Sequence, residues 1–257
     1  MRNYKNYIFD LYGTLLDIET NENSASLWKK MAALYSVYGA DYTPASLKKS
    51  YLAMVRQEEA AIGGDYPEIR LETVFKRLYD EAPARHESEL VPQTGFVPFM
   101  ANAFRIISRK KCRVYRNTIP VLENLKAKGS GIYLLSNAQR IFTMPEIEKA
   151  GLKGYFDGIY ISSDKGIRKP DTRFMQSLLD EYHLNKNGCV MVGNDYDADI
   201  GTAASVGMDS IYLNTYALSE EEMRRRLAAM RQRTGRRDYS PVLMVKSGDI
   251  GEILASF

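Results

Sequence analysis

The apolar residues between positions 18 and 112 recur every three or four residues, which is the spacing of one face of a helix. This spacing predicts four helices, over residues 24–36, 43–63, 67–80 and 96–110. Nothing in this region alternates apolar and polar residues in the way that a half-buried strand does. The sequence therefore predicts a helical block here.

The rest of the chain combines short apolar runs with amphipathic segments. Residues 4–10 form a run rich in aromatic and β-branched residues that stops at a glycine turn, which is typical of a buried strand. Beyond residue 112, strands and helices alternate. The predicted strands cover residues 131–137, 158–162, 189–194, 210–214 and 242–246, and the predicted helices cover 119–128, 171–182, 200–206, 219–233 and 250–256. This alternation predicts an α/β fold whose parallel sheet is covered by helices on both faces.

Chemically useful side chains lie where the predicted strands end. Ligands of parallel sheets bind outside the carboxyl ends of the strands. Four segments follow such ends: Asp10–Thr14, Ser136–Asn137, the segment after Ile161, and Gly193–Asp199. Each residue alone has an ordinary explanation as a turn residue, a loop hydroxyl or a solvated charge. Their joint occurrence at strand ends indicates one active site.

The first two strand ends offer a nucleophile and hydrogen-bond donors. Asp10 leaves its strand into a turn, and carboxylates are known covalent nucleophiles. Gly13 allows the backbone to approach a substrate closely, and the N–H groups of such a turn favour an anion. Thr14, Ser136 and Asn137 add donors. We therefore predict that Asp10 and Ser136 are catalytic and that Gly13, Thr14 and Asn137 bind the substrate.

The last two strand ends add charge. Lys169 stands between a strand and a helix, where its ammonium group can neutralise both Asp10 and an anionic substrate. Asp195, Asp197 and Asp199 follow the strand that ends at Gly193, and carboxylates so close to Asp10 repel one another unless a cation lies among them. Oxygen ligands alone indicate Mg²⁺. The predicted site thus surrounds one anion with a carboxylate, a lysine, hydroxyl donors and Mg²⁺. This arrangement predicts phosphoryl transfer, in which positioning and charge neutralisation dominate.

Four segments of the chain resemble, in the same order, the four motifs of the haloacid dehalogenase-like superfamily. They are FDLYGTLLD at 9–17, LLSN at 134–137, GIRKPD at 166–171 and VGND to DI at 192–200. The resemblance implies a Rossmann-like three-layer core over residues 1–17 and 113–257 and a helical C1-type cap domain over residues 18–112. It also implies that Asp10 is the nucleophile and that Ser136 and Lys169 contact the transferred group.

Two positions depart from the pattern of the phosphatases in this superfamily. Tyr12 stands where they carry the aspartate that acts as general acid and base, and this position makes it a candidate catalytic residue together with Asp10, Ser136 and Lys169. A tyrosine with a pKa of about 10 nevertheless suits that task poorly at neutral pH. Asn194 stands where they carry a metal-binding aspartate, although its amide oxygen can still bind a metal and Asp195 can compensate. The predicted metal ligands are Asp10, Tyr12 through its backbone carbonyl, Asn194, Asp195 and Asp199.

These departures leave three functions open. We place first a Mg²⁺-dependent phosphatase that acts on a small phosphorylated metabolite through an aspartyl-phosphate. The second is a metal-independent L-2-haloacid dehalogenase, because Tyr12 is similar to that branch, although the last motif is not and no arginine stands around residues 39–42 to hold a substrate carboxylate. The third is a catalytically weak, ligand-binding member of the fold.

Composition narrows the partners and the compartment. A net charge of +3 on 257 residues is too small to indicate nucleic acid, and the arginine-rich stretch Arg224–Arg237 is predicted to be a solvated helix face. The chain has two lone cysteines, Cys112 and Cys189, which is typical of a protein in a reducing compartment. Its apolar N-terminal run is too short for a secretory signal. Together these features predict a cytoplasmic protein. No run reaches the ~18 apolar residues that span a bilayer. We expect a small anionic substrate and a monomer or homodimer.

Overall fold

The computed structural model describes residues 4–256, so residues 1–3 and 257 of the predicted core range lie outside the described part. In chain order the elements are β1 (Asn6–Phe9), β2 (Leu16–Thr20), α1 (Ala25–Val37), β3 (Ala40–Asp41), α2 (Pro44–Ile62), α3 (Leu71–Asp80), β4 (Ala84–Arg85), α4 (Phe96–Ser108), β5 (Arg109–Val114), α5 (Thr118–Ala127), β6 (Gly131–Ser136), α6 (Arg140–Lys149), β7 (Gly158–Ile161), α7 (Ser162–Lys165), α8 (Thr172–Glu181), β8 (Cys189–Gly193), α9 (Gly201–Val206), β9 (Asp209–Leu213), α10 (Glu220–Thr234), β10 (Leu243–Val245) and α11 (Glu252–Ser256). A π-helical turn at Tyr196–Ile200 precedes α9.

Six strands form one parallel sheet in the order β10-β9-β8-β1-β6-β7. The first strand of the chain lies at the centre, with Phe9 level with Val192 of β8 on one side and with Leu134 of β6 on the other. The predicted α/β fold with a parallel sheet is confirmed. Because β1 lies between β6 and β8, the segments that follow these three strands meet at one edge of the sheet.

Alternate residues of the central strand enter different cores on the two faces of the sheet. Tyr7 and Phe9 pack with Leu134 and with residues of α5 and α11. Ile8 packs on the other face with Leu135 and with residues of α8. Burying both faces in this way produces the three layers of a Rossmann-like core.

The helices α1–α4 surround a core of their own. Its centre is a group of aromatic rings in which Trp28, Tyr51, Phe75 and Phe104 contact one another. Phe142 of α6 joins this group with its ring 6.4 Å from that of Phe104. The predicted helices of residues 18–112 are therefore present, and they pack against the parallel-sheet unit through α6.

The prediction that residues 18–112 contain no strand was wrong. β2 and β5 form an antiparallel ribbon, and β3 pairs with β4 over two residues. The alternation of apolar and polar residues does not predict this ribbon, because both of its strands carry several charged residues. Two of these residues, Glu19 and Lys110, form an ion pair at 2.8 Å. The last predicted helix of this region consequently ends at Ser108 and not at residue 110.

One helix boundary differs from expectation, and one helix was not expected. α3 begins at Leu71 and not at residue 67, because Pro67 forms an antiparallel bridge with Ile167 in the segment before Lys169. α6 was not predicted, since Pro145 lies inside it and its apolar residues are few.

Within residues 4–256, no helix has the length and apolar character needed to cross a bilayer.

The arginine-rich helix α10 uses several of its charges locally. The Ser219 hydroxyl caps it by accepting a hydrogen bond from the backbone N–H of Glu222 at 3.2 Å. Glu222 in turn pairs with Arg225 and Arg226, and Arg233 pairs with Asp197. These pairs agree with the interpretation of α10 as a solvated helix face.

Candidate active site

Asp10 follows the central strand directly and lies nearly buried, with 8% of its surface exposed. Its backbone N–H donates to the carbonyl of Val192 at 2.9 Å, which continues the ladder with β8 by one residue. The Thr14 hydroxyl donates to Asp10 Oδ2 at 3.1 Å. The carboxylate is therefore held at the carboxyl end of β1, where parallel sheets bind ligands.

The structure brings Lys169 into contact with Asp10. The ammonium Nζ lies 2.8 Å from Asp10 Oδ1, 2.7 Å from Asp199 Oδ1 and 2.7 Å from the carbonyl of Leu135. Three strand ends thus converge on one buried cation. Burial disfavours the charged form of Lys169, but the attraction of Asp10 and Asp199 outweighs it and raises the pKa of Lys169 to about 12. Burial raises the pKa of Asp199 despite the neighbouring ammonium group.

The Asn137 side chain is bound to the backbone of Lys169. Its amide oxygen accepts from the backbone N–H of Lys169 at 2.8 Å, and its amide nitrogen donates to the carbonyl of the same residue at 2.9 Å. The prediction that Asn137 binds substrate stays a prediction, and these two bonds show that its side chain also contacts the Lys169 backbone.

Ser136 is buried with 1% of its surface exposed, and its Oγ has no hydrogen-bond partner within residues 4–256. A buried hydroxyl without a partner is unfavourable, by roughly 1–3 kcal/mol. An oxyanion bound beside Asp10 gives this hydroxyl an acceptor, as the sequence predicts.

The turn after Asp10 requires glycine at position 13. Gly13 has φ +84°, and a Cβ atom at this position would lie 2.3 Å from Nδ2 of Asn194. The carbonyl of Gly13 accepts from the Thr215 hydroxyl at 2.6 Å, which fixes the turn from the opposite side. Gly13 therefore allows Asn194 to lie against the segment that carries Asp10.

The predicted metal ligands divide into two groups. Asp10 Oδ2 and Asn194 Oδ1 both lie near the Thr14 hydroxyl, at 3.1 and 3.4 Å. Both Asp199 oxygens already have partners, since Oδ1 faces Lys169 and Oδ2 accepts the N–H groups of Asn194 and Asp195 at 3.0 Å. The prediction that Asp199 is a metal ligand stays a prediction, and in the structure its carboxylate supports Lys169 and the start of the following turn.

Asp195 also has a structural task. Its Oδ1 caps the π-helical turn by accepting the N–H groups of Asp197 and Ala198, both at 2.7 Å. Within residues 4–256, no three histidine, cysteine, aspartate or glutamate side chains are grouped to hold a metal ion. A cation beside Asp10 would depend on one carboxylate, the Asn194 amide and backbone carbonyls, which are oxygen donors that suit Mg²⁺ with its remaining water ligands.

The Tyr12 hydroxyl is engaged in a buried ion cluster. It donates to Glu146 Oε2 at 2.5 Å, and the same carboxylate receives Arg105 at 2.8 and 3.0 Å and Arg109 at 2.9 Å. Burial, followed by the charge of Glu146, raises the pKa of Tyr12 far above its usual value. The structure therefore argues against the Tyr12 hydroxyl as general acid or base.

Sequence reasoning missed Glu146 and Arg105 because each lies on a helix, far along the chain from Tyr12. Arg105 belongs to α4 and stacks over the rings of Tyr12 and Phe142, at 5.4 and 5.3 Å. The cluster thus connects the turn after Asp10, the sheet unit and the helices α1–α4.

A cavity of about 240 Å³ lies between these helices and the sheet unit. Its wall includes Tyr12, two positions after Asp10, and Asn137, which follows Ser136 directly. Glu22, Tyr51 and Arg105 of the helical region complete this part of the wall. The position of the cavity between the helices and the sheet, next to Asp10 and Ser136, is where a small organic group could lie.

Comparison with known proteins agrees with this geometry. The sequence model of the haloacid dehalogenase-like hydrolase family matches residues 4–207. The chain belongs to the haloacid dehalogenase-like hydrolases. It is therefore a hydrolase, and the family resemblance seen in its four motifs is confirmed.

Relatives within the haloacid dehalogenase-like hydrolases include both phosphatases and dehalogenases. The chain is 27% identical over 218 residues to a glyceraldehyde 3-phosphate phosphatase of Methanothermobacter thermautotrophicus, covering 85% of this chain and 88% of the relative. It is 26% identical over 211 residues to (S)-2-haloacid dehalogenase 4A of Burkholderia cepacia, covering 80% and 81%. The solved structure of a 2-haloacid dehalogenase from Pseudomonas syringae superposes with a TM-score of 0.65 at 19% identity, covering 98% of this chain and 99% of that one.

Proposed function

We propose that this chain is a Mg²⁺-dependent phosphatase that hydrolyses a small phosphorylated metabolite through an aspartyl-phosphate on Asp10. The observation that carries the proposal is the buried contact of Lys169 with Asp10 at 2.8 Å, together with the nearby Ser136 hydroxyl, which has no hydrogen-bond partner among the described residues. A cation and a donor next to a carboxylate nucleophile suit an anionic group under attack. The phosphatase among the relatives supports the same reaction.

In the proposed reaction an Asp10 carboxylate oxygen attacks phosphorus and displaces the alcohol oxygen, which takes a proton from a water molecule as it leaves. Water then attacks the phosphorus of the acyl phosphate, and this releases inorganic phosphate and restores the carboxylate. Lys169 and Ser136 stabilise the phosphoryl oxygens in both steps. Asn137 keeps the Lys169 backbone in place through its paired hydrogen bonds.

Asp10, the Asn194 side-chain oxygen and the Tyr12 backbone carbonyl would hold the Mg²⁺ ion, and Asp195 has one oxygen left to assist. When bound, the ion supplies charge neutralisation for the nucleophile and the phosphoryl group. Because Asn194 contributes no charge, we expect weaker Mg²⁺ binding than two carboxylates give.

Residues 18–112 would act as a cap domain over a core formed by residues 1–17 and 113–257. The cavity of about 240 Å³ at their boundary supports this division. Closing such a cap excludes water from the reacting groups. We further propose that the enzyme acts in the cytoplasm, in keeping with its two free cysteines within the described residues.

The L-2-haloacid dehalogenase remains a second candidate, supported by the Burkholderia cepacia relative. Its substrate is a carboxylate and needs a cation in the cavity. Arg105 lines the cavity, but its Nε and one terminal nitrogen are bound to Glu146 at 2.8 and 3.0 Å. This arrangement favours the phosphatase.

The two candidates differ in their dependence on metal. We expect hydrolysis of an aryl phosphate with Mg²⁺, loss of that activity in a chelator or in Asp10→Asn, and full activity in the control variant Asp80→Asn, whose side chain pairs with Lys76 on α3. Release of halide from 2-haloacids in a chelator, without hydrolysis of phosphate, would establish the dehalogenase instead.

A further inference from the structure

The cavity between helices α1–α4 and the sheet unit is where the alcohol part of a substrate would lie. If a phosphoryl group binds between Asp10 and Ser136, the group attached to it extends past Tyr12 and Asn137 into this space of about 240 Å³. The unpaired polar atoms of its wall therefore decide which alcohols fit.

Most polar side chains of the wall are already satisfied within the protein. The Gln139 amide nitrogen donates to Glu68 and to the carbonyl of Ile69, and its oxygen accepts from the N–H of Leu71. Thr143 donates to the carbonyl of Gln139 at 2.9 Å, and its Oγ1 lies 3.2 Å from the Tyr12 hydroxyl oxygen. These groups shape the cavity but have little capacity left for a ligand.

Glu22 is different, because its carboxylate has no hydrogen bond or ion pair within residues 4–256. The residue lines the cavity and is exposed to solvent overall. Burial by nearby protein atoms nevertheless raises the pKa of Glu22, and Arg105 opposes this rise only in part. The hydroxyl of Tyr51, on the same wall, also lacks a hydrogen-bond partner among these residues.

The remaining charge of the wall does not offset Glu22. Arg105 is the cation nearest to it in the wall, and two of its three nitrogens are bound to Glu146. A partly desolvated carboxylate is stabilised by a hydrogen-bond donor and destabilised by a second anion. The cavity thus offers an acceptor to the substrate, and the one cation among its lining residues, Arg105, is already paired with the Glu146 carboxylate.

We infer that Glu22 determines specificity by selecting phosphate monoesters whose alcohol part carries a hydrogen-bond donor, an ammonium or hydroxyl group, and by rejecting alcohol parts that carry a second anionic group. This inference rests on the proposed phosphatase function. Glu22 acts on the leaving group and does not contact the phosphoryl group.

The test uses two esters of equal length with opposite terminal charge, phosphoethanolamine and phosphoglycolate, and an aryl phosphate without either charge. We expect the wild type to have the higher kcat/KM for phosphoethanolamine. Glu22→Gln should lower the ratio of the two kcat/KM values by about tenfold or more, because a hydrogen bond to a charged group contributes roughly that factor. The aryl phosphate rate should stay within about twofold.

The matched control is Glu19→Gln, whose carboxylate lies on β2 and pairs with Lys110 away from the cavity wall. It should leave the ratio unchanged. A wild type that prefers phosphoglycolate, or a Glu22→Gln variant with an unchanged ratio, overturns the inference while aryl phosphate hydrolysis persists. If the wild type with Mg²⁺ hydrolyses none of the three esters, the phosphatase proposal itself fails, and the inference falls with it.

Discussion

Replacing Lys169 by methionine removes the only cation that touches Asp10 and Asp199 within the described residues. The side chain of Lys169 is 1% exposed and those of Asp10 and Asp199 are 11% and 1% exposed, so water cannot replace the ammonium group. Removing one partner of a buried ion pair costs about 3–5 kcal/mol, because the other charge is left uncompensated. We expect the free energy of unfolding of Lys169→Met to fall by about that amount. For a protein of this size the loss corresponds to a Tm lower by about 6–20 °C.

The same reasoning predicts a partial rescue. Asp199→Asn in the Lys169→Met background removes one of the two uncompensated buried charges, while its amide oxygen can keep accepting a backbone N–H. We expect the double variant to regain about 1–3 kcal/mol relative to Lys169→Met, and both variants to lack hydrolytic activity. Urea unfolding of the four proteins in the cycle measures the coupling. Wild-type stability in Lys169→Met, or a double variant less stable than Lys169→Met, would refute the electrostatic account of this cluster.

Three further variants test separate parts of the site. Asn194→Asp should lower the Mg²⁺ concentration that half-saturates hydrolysis by about tenfold, because it adds a charged ligand, and an unchanged value would contradict its place as a metal ligand. Tyr12→Phe should keep activity within about threefold and lose about 1–3 kcal/mol of stability, whereas a general acid would cost about 10²–10⁴ in kcat. Glu68→Gln should weaken the hydrogen bonds that the Glu68 carboxylate accepts from Ser162 and Gln139. Hydrogen exchange of the Arg168 amide, which donates to the carbonyl of Tyr66, should then be faster. Equal exchange in both proteins would show that the Arg168–Tyr66 hydrogen bond is independent of Glu68.

The positions of Asp10, Ser136 and Lys169 could be predicted because they depend on one general property of the fold. Parallel strands place their carboxyl ends at one edge, so residues more than a hundred positions apart meet there. The short, strongly apolar strands make the sheet itself easy to predict, and the glycine turn after Asp10 marks its most constrained segment.

The roles of individual side chains could not be predicted in the same way. Asp195 and Asp199 look equivalent in the sequence, but one caps a helical turn and the other lies under Lys169, and only the geometry of the turn separates them. The contact of Tyr12 with Glu146 joins residues 134 positions apart. It depends on the packing of α6, which the apolar periodicity did not predict because Pro145 lies inside that helix. Such contacts depend on how helices pack against each other, and local periodicity carries no information about that.

The central claim is that the Asp10 carboxylate becomes covalently phosphorylated. The most direct measurement is mass spectrometry of the protein quenched in acid during turnover of an aryl phosphate with Mg²⁺, followed by mapping of the modified peptide. The account predicts one phosphoryl group on Asp10 that is absent from Asp10→Asn and absent when Mg²⁺ is chelated. Steady turnover of the phosphate ester with an unmodified Asp10, or with the phosphoryl group on another residue, would contradict it.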